Sequence, residues 1–113
     1  ERCMNTSSYS ALAARPAHAG TILAMPVLPE GLKAPFSHAW GHLNPGGEME
    51  MHAHPAQEIY FFHAGHGQVV VGDEVADTYP GMVVDIPPSV MHTVRNNSDG
   101  ELLWFALWWP VVE

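Results

Sequence analysis

Cysteine is nearly absent from this sequence, with Cys3 standing alone near the N-terminus. A single thiol excludes an intrachain disulfide and points away from an oxidising compartment. Positive charge is as scarce: four Lys and Arg face twelve Asp and Glu, for a formal charge of −8. That balance speaks against nucleic acid, anionic membranes and polyanionic substrates. It also leaves little Arg or Lys to clamp a phosphate ester. Long apolar runs are missing too, since none approaches the roughly 20 residues of a spanning helix. "ALAARPAHAG" is too short, and too interrupted by Pro16, to be a signal core. These absences predict a cytoplasmic protein without a membrane partner. The sequence opens on Glu1 and not on Met, so the presence of a leader before it stays open.

What is present is globular. Apolar residues make up 47% of the chain and charged ones 14%, with four Trp, three Tyr and four Phe. At 113 residues this is one domain. Residues 1–35, rich in Ala, Ser and Pro, carry no sustained period and read as an arm packing on the main domain or on a partner subunit. One short strand is expected there, in "GTILAMPVL". From residue 36 to 113, β-rich runs alternate with turns such as "NPGG", "AGHG", "PPS" and "NNSDG". The runs are "FSHAWGHL", "EMEMHAH", "EIYFFH", "GQVVVG", "EVADTY", "MVVDI", "VMHTVRN" and "ELLWFALWW". Short strands at this spacing predict an all-β antiparallel sandwich or barrel.

Residues two apart on a strand share a face. On that rule Glu48, Glu50, His52 and His54 lie together, opposite Met49, Met51 and Ala53. His52 and His54 would stand about 6.7 Å apart at Cα and point the same way, so both imidazoles can converge on one ion. Glu58, after the turn at Pro55, can return as a third ligand. Alone, the pattern is equally that of a solvated polar sheet face.

A wider frame surrounds it: Gly46, five residues, His52-x-His54, three residues, Glu58, six residues, Gly65. After fifteen further residues comes Gly81, then five residues and Pro87, with His92 and Asn96 beyond. The chain resembles a minimal single-domain cupin, a monocupin with both motifs of that superfamily, over roughly residues 36–109. Two positions depart from the family pattern. Ser89 stands where relatives usually carry Gly in a Pro-x-Gly turn, a change expected to be tolerable if the position does not demand positive φ. Met82 replaces a common Asp. The resemblance implies a double-stranded β-helix, or jelly-roll barrel, with metal ligands at His52, His54, Glu58 and His92. Three neutral imidazoles and a carboxylate suit one divalent Fe, Mn, Co, Ni, Cu or Zn ion and disfavour Ca and Mg.

Around this centre, Glu50 and Tyr60 are candidate acid–base groups. His38, Trp40, His42, Phe62, Trp104 and Trp108 are candidate pocket residues by strand parity. His63 and His66 flank the Gly65 turn and are expected outside. The final strand is apolar on both faces, Trp104, Ala106 and Trp108 against Leu103, Phe105, Leu107 and Trp109. The second face therefore needs a cover, and a homodimer is the simplest one. The fold hosts many chemistries, so function must be argued from the pocket. Abundant aromatics and absent cations favour a small metal-chelating substrate bearing an enol, diol, keto or carboxylate oxygen. Fe(II)-dependent dioxygenation is the leading expectation. Lewis-acid isomerisation or lyase chemistry on a sugar, uronate or keto acid is the alternative, and a non-catalytic small-molecule binder is the third.

Overall fold

The computed structural model describes residues 4–111, so Cys3 lies outside the described residues. Nine strands form two antiparallel sheets and, among the described residues, there is no helix. No helix is therefore long and apolar enough to cross a membrane. The strands are β1 (Arg15–Ala17), β2 (Ile22–Met25), β3 (Ser37–Leu43), β4 (Ala56–Ala64), β5 (Gly67–Val71), β6 (Glu74–Thr78), β7 (Val83–Ile86), β8 (His92–Arg95) and β9 (Leu102–Pro110). A six-stranded sheet runs β1-β2-β3-β9-β4-β7, and a three-stranded sheet runs β6-β5-β8. The arrangement is a jelly-roll β-sandwich.

The two sheets close on one core. Tyr60, Phe62, Ile86, Leu102, Trp104 and Ala106 from the larger sheet meet Val69 and Val94 from the smaller, with Leu43 and Met49 between them. Alternation along β9 produces its share of that core: Leu102, Trp104 and Ala106 are buried while Leu103, Phe105 and Leu107 are half-buried on the opposite face. Trp104 fits because Gly41 lies directly across the β3–β9 ladder, where a Cβ would come within 2.4 Å of the indole.

The arm contributes two strands where one was expected, because β1 and β2 form a hairpin and β2 pairs along Leu23–Met25 with β3. The segment before β1 lies against the sheet as well. Tyr9 donates a 2.7 Å hydrogen bond to His42 Nδ1 and packs edge-on to Trp40.

The run "EMEMHAH" departs from the sequence expectation. It is no regular strand and touches β8 through two isolated bridges, Glu48 with Arg95 and His52 with His92. Four steps from 48 to 52 oppose three from 95 to 92, so the segment carries one extra residue, as a β-bulge does. The bulge reverses parity. Met49 is buried and Glu48 and Glu50 are exposed, yet beyond the bulge it is His52 and His54 that turn inward while Met51 and Ala53 face solvent. The expectation that Glu48 and Glu50 share the histidines' face is thereby corrected.

Two motif positions explain themselves in the turns. Asn96, 1% exposed, donates to the carbonyls of Leu43 (3.0 Å) and Gly100 (2.8 Å), fastening the Gly46 turn to the β8–β9 loop. Gly65 has φ +84, and a Cβ there would collide with the Glu101 carbonyl at 2.1 Å.

Ser89 does occupy a left-handed position, with φ 65. Its turn therefore demands what a serine adopts at a cost, and the departure reaches the site because the Ser89 N–H donates to the His54 carbonyl at 2.7 Å. Ser89→Gly removes that strain, partly offset by the greater freedom of Gly in the unfolded chain, and should stabilise the fold by about 0.5–1 kcal/mol. Urea unfolding of the two proteins checks this, and a less stable glycine variant would contradict it.

Candidate metal centre

Three different elements deliver the cluster. His52 and His54 come from the bulged segment, Glu58 from β4 in the large sheet, and His92 from β8 in the small one. One ligand atom from each of these four residues lies within 4.8 Å of the others. His92 and Glu58 are buried, at 1% and 7% side-chain exposure, whereas His54 retains 28%. The cluster thus sits at the mouth of the sandwich, closed below and open above.

Backbone carbonyls set the imidazoles. His52 Nδ1 lies 2.8 Å from the Glu50 carbonyl, and His92 Nδ1 2.9 Å from the Val90 carbonyl. A carbonyl only accepts, so each Nδ1 carries the proton and each Nε2 presents a lone pair. His92 Nε2 is buried without a hydrogen-bond partner and stands 3.3 Å from Glu58 Oε1. His54 Nε2 lies 2.9 Å from the same carboxylate oxygen, and its Nδ1 is buried and unpartnered. A buried imidazole nitrogen without a partner, His92 Nε2, beside a carboxylate that a second histidine already meets is what a divalent transition metal would satisfy, so the residues fit the ion that the sequence implies. Burial holds His52 below the ordinary histidine pKa against the opposing hydrogen bond to Glu50, so it is neutral at pH 7, the form that ligates a metal.

Beside the cluster opens a cavity of about 190 Å³. Its polar lining includes His18, His54, Glu58 and Tyr60, and its large apolar walls are Ile22, Met49, Trp104 and Trp108. The space exists because Ala24, Ala39, Gly41 and Ala106 present at most a methyl group from the inner face of β2, β3 and β9. No Arg or Lys lines it among the described residues. Arg95 instead points outward and pairs with Glu48 at 2.7 Å. Tyr60 is 2% exposed, and burial first, then the adjacent Glu58 carboxylate, pushes its phenol well above the ordinary value. It remains a protonated donor at any physiological pH.

Several sequence-predicted pocket residues lie elsewhere. The inner face of β3 is Ala39, Gly41 and Leu43, which sends the His38, Trp40 and His42 side chains to the outer face. His38 Nδ1 accepts hydrogen bonds from the backbone N–H groups of Val27 and Leu28, at 2.9 and 3.2 Å. His42 Nε2 bonds Glu101 at 2.7 Å, so its Nδ1 accepts from Tyr9. The Trp40 indole packs on Phe105 and His63. Phe62 belongs to the core between Tyr60 and Trp104 and not to the cavity wall. Glu50 acts on the site through its carbonyl, while its carboxylate is exposed. Trp104 and Trp108 do line the cavity, as does Tyr60, and Trp40 borders it although its indole packs on the outer face.

His18 is the residue that sequence reasoning missed. It lies thirty-four positions before His52 in a Pro-Ala segment without period, yet its ring stands 4.2 Å from that of His52. Only the pairing of β2 with β3 brings the hairpin tip there.

The cupin-domain family model (Cupin_2) matches residues 39–109, and the chain belongs to that family. The fold also matches solved structures. A Cupin 2 conserved barrel domain protein from Salinispora arenicola is 25% identical with a TM-score of 0.84, over 97% of this chain and 92% of that one. A predicted oxalate decarboxylase from Thermotoga maritima is 17% identical (TM-score 0.75; 93% and 100%). The DMSP lyase DddQ from Ruegeria pomeroyi is 22% identical (TM-score 0.70; 96% of this chain, 58% of that chain). Among curated proteins no sequence matches.

His52→Ala removes one candidate ligand and its orienting bond, and metal that copurifies with the unmodified protein should be missing from the variant by elemental analysis. His63→Ala, on the exposed outer face, should keep it. Equal metal content in His52→Ala and the unmodified protein would refute the ligand set.

Proposed function

We propose that this protein is a mononuclear metal-dependent enzyme acting on a small oxygenated substrate that chelates the ion, with His52, His54, Glu58 and His92 as the ligands. The convergence of those four side chains beside a small, largely apolar cavity is the observation that carries the reading. A divalent transition metal held there supplies either dioxygen activation, as iron(II), or Lewis-acid polarisation of a substrate oxygen. The chain supplies the rest. Ile22, Trp104 and Trp108 exclude water, and Tyr60 offers a buried hydroxyl as hydrogen-bond donor to a substrate oxygen. The missing cation clamp favours an enol, diol, keto acid or simple carboxylate over a sugar phosphate.

Oxidative cleavage by an iron form is the first reading. Lewis-acid lyase or isomerase chemistry is the second, and Tyr60 favours it as a neutral hydrogen-bond donor within the cavity. Two proteins of similar fold, a predicted oxalate decarboxylase and a DMSP lyase, lend that reading further support. Binding without turnover is the outcome in which neither chemistry is found. Protein loaded anaerobically with Fe(II) and exposed to oxygen should consume it in proportion to an enol or diol substrate. Turnover with the Mn or Zn form and no oxygen uptake would select the second reading.

The partner we propose besides the substrate is a second copy of this chain. Its support is the half-buried apolar face of Leu103, Phe105, Leu107 and Trp109, beside which Tyr9 packs on Trp40 and His42 of β3. Light scattering should give twice the 12.4 kDa chain mass, and the monomer mass at micromolar concentration would rule the dimer out.

A further inference from the structure

The β1–β2 hairpin reaches the metal-ligand cluster in a conformation that its residues do not favour. His18, Ala19 and Gly20 take positive φ in succession, at 51, 58 and 79. Turns with consecutive left-handed residues normally select Asn and Gly, because a Cβ is disfavoured there. This one is nevertheless held in place. The Thr21 hydroxyl donates to the His18 carbonyl at 2.6 Å and accepts from the Glu50 N–H at 2.9 Å. Glu50 in turn accepts the His52 Nδ1 proton through its carbonyl. The His18 and His52 rings face each other at 4.2 Å with 32° between their planes. Backbone strain maintained beside a functional cluster points to a role for the residue that bears it.

The imidazole of His18 is not what holds the turn, since the turn uses only the residue's carbonyl. Apart from the candidate ligands His54 and Glu58 and the indole N–H groups of Trp104 and Trp108, His18 and Tyr60 are the polar side chains on the cavity lining, the Trp40 indole packing on Phe105 and His63. They stand at different depths: Tyr60 is buried, and His18 is exposed at the rim. Each carries a hydrogen-bond donor, and neither is a cation clamp.

We infer that His18 is a ligand-contacting residue, which the hairpin holds at the cavity mouth to donate a hydrogen bond to an oxygen of a small carboxylate or enolate. The inference rests on the metal-dependent reading above and adds to it a recognition group from outside both motif frames. Because a neutral imidazole carries a single N–H, the contact selects for an oxygen acceptor and gives nothing to a ligand without one.

The test uses the full chain loaded with Co(II) and titrated with oxalate, and separately with imidazole, followed by visible absorption. His18→Ala should hold as much cobalt as the unmodified protein, bind oxalate about fivefold to tenfold more weakly, and bind imidazole within about twofold of normal. His18→Gln, which keeps an N–H, should recover part of the oxalate affinity. Ala19→Gly relaxes the same turn and should leave oxalate binding unchanged. Unaltered oxalate affinity in His18→Ala overturns the assignment, as does an equal loss in Ala19→Gly, which would trace the effect to the turn's conformation. Loss of cobalt in His18→Ala overturns it as well, by making His18 part of the metal shell. Failure of the unmodified protein to take up cobalt is a separate result that removes the metal-dependent reading and this inference together, whereas loaded protein that ignores oxalate removes this inference alone.

Discussion

The reciprocal backbone pair between His52 and His92 is the constraint on which the site depends. Each residue's N–H donates to the other's carbonyl, at 3.1 and 2.9 Å. No regular ladder surrounds that pair, yet it joins a segment outside either sheet to a strand of the smaller one. Below it, Met49 donates to Val94 and Asn96 to Gly47, at 2.9 and 2.8 Å, so the segment runs beside β8 as an irregular extra strand. Because the residue count slips by one between these bonds, Met49 can plug the core while His52, three residues on, faces the ligand cluster. A regular strand would have turned His52 to the side opposite Met49 and out of the site.

Much of this architecture was legible in the residues. Seven of the eight β-rich runs from residue 36 onward are strands at nearly the expected positions, because Gly, Pro and Asn clusters punctuate them. The convergence of His52, His54, Glu58 and His92 followed from family spacing and not from alternation, and alternation failed where the bulge intervenes. Faces of β3 were unreadable for a different reason. "SHAWGHL" offers His, Trp and His on one side and Ala, Gly and Leu on the other. Chemistry favours the first set for a pocket, while packing requires the second, because only Gly41 leaves room for the Trp104 indole. That collision is a property of the β3–β9 register, which local sequence does not carry.

The outer face of β3 has a structural use instead. His38 and His42 serve as acceptors that fasten the N-terminal segment, one through the Val27 and Leu28 amides and the other through the Tyr9 hydroxyl. Glu101 completes the second arrangement by fixing the His42 proton on Nε2. Burial and the nearby Glu101 charge both raise the Tyr9 pKa, which keeps its phenol a donor in this chain. The histidines of β3 and of the cluster therefore divide by their partners: those of β3 anchor the arm, and those of the bulged segment and β8 gather around Glu58.

The cavity's size and its chemistry are set by different parts of the molecule. The ligand atoms come from the 52–58 segment and β8, while the space beside them comes from residues of β2, β3 and β9 whose side chains stop at Cβ or before it. A methyl group gained at Ala24, Ala39 or Ala106 would change which guest fits without touching a ligand. The size and shape of the cavity can thus change on the sheet face while the bulge still holds the His and Glu cluster together, and the two properties need not be altered together.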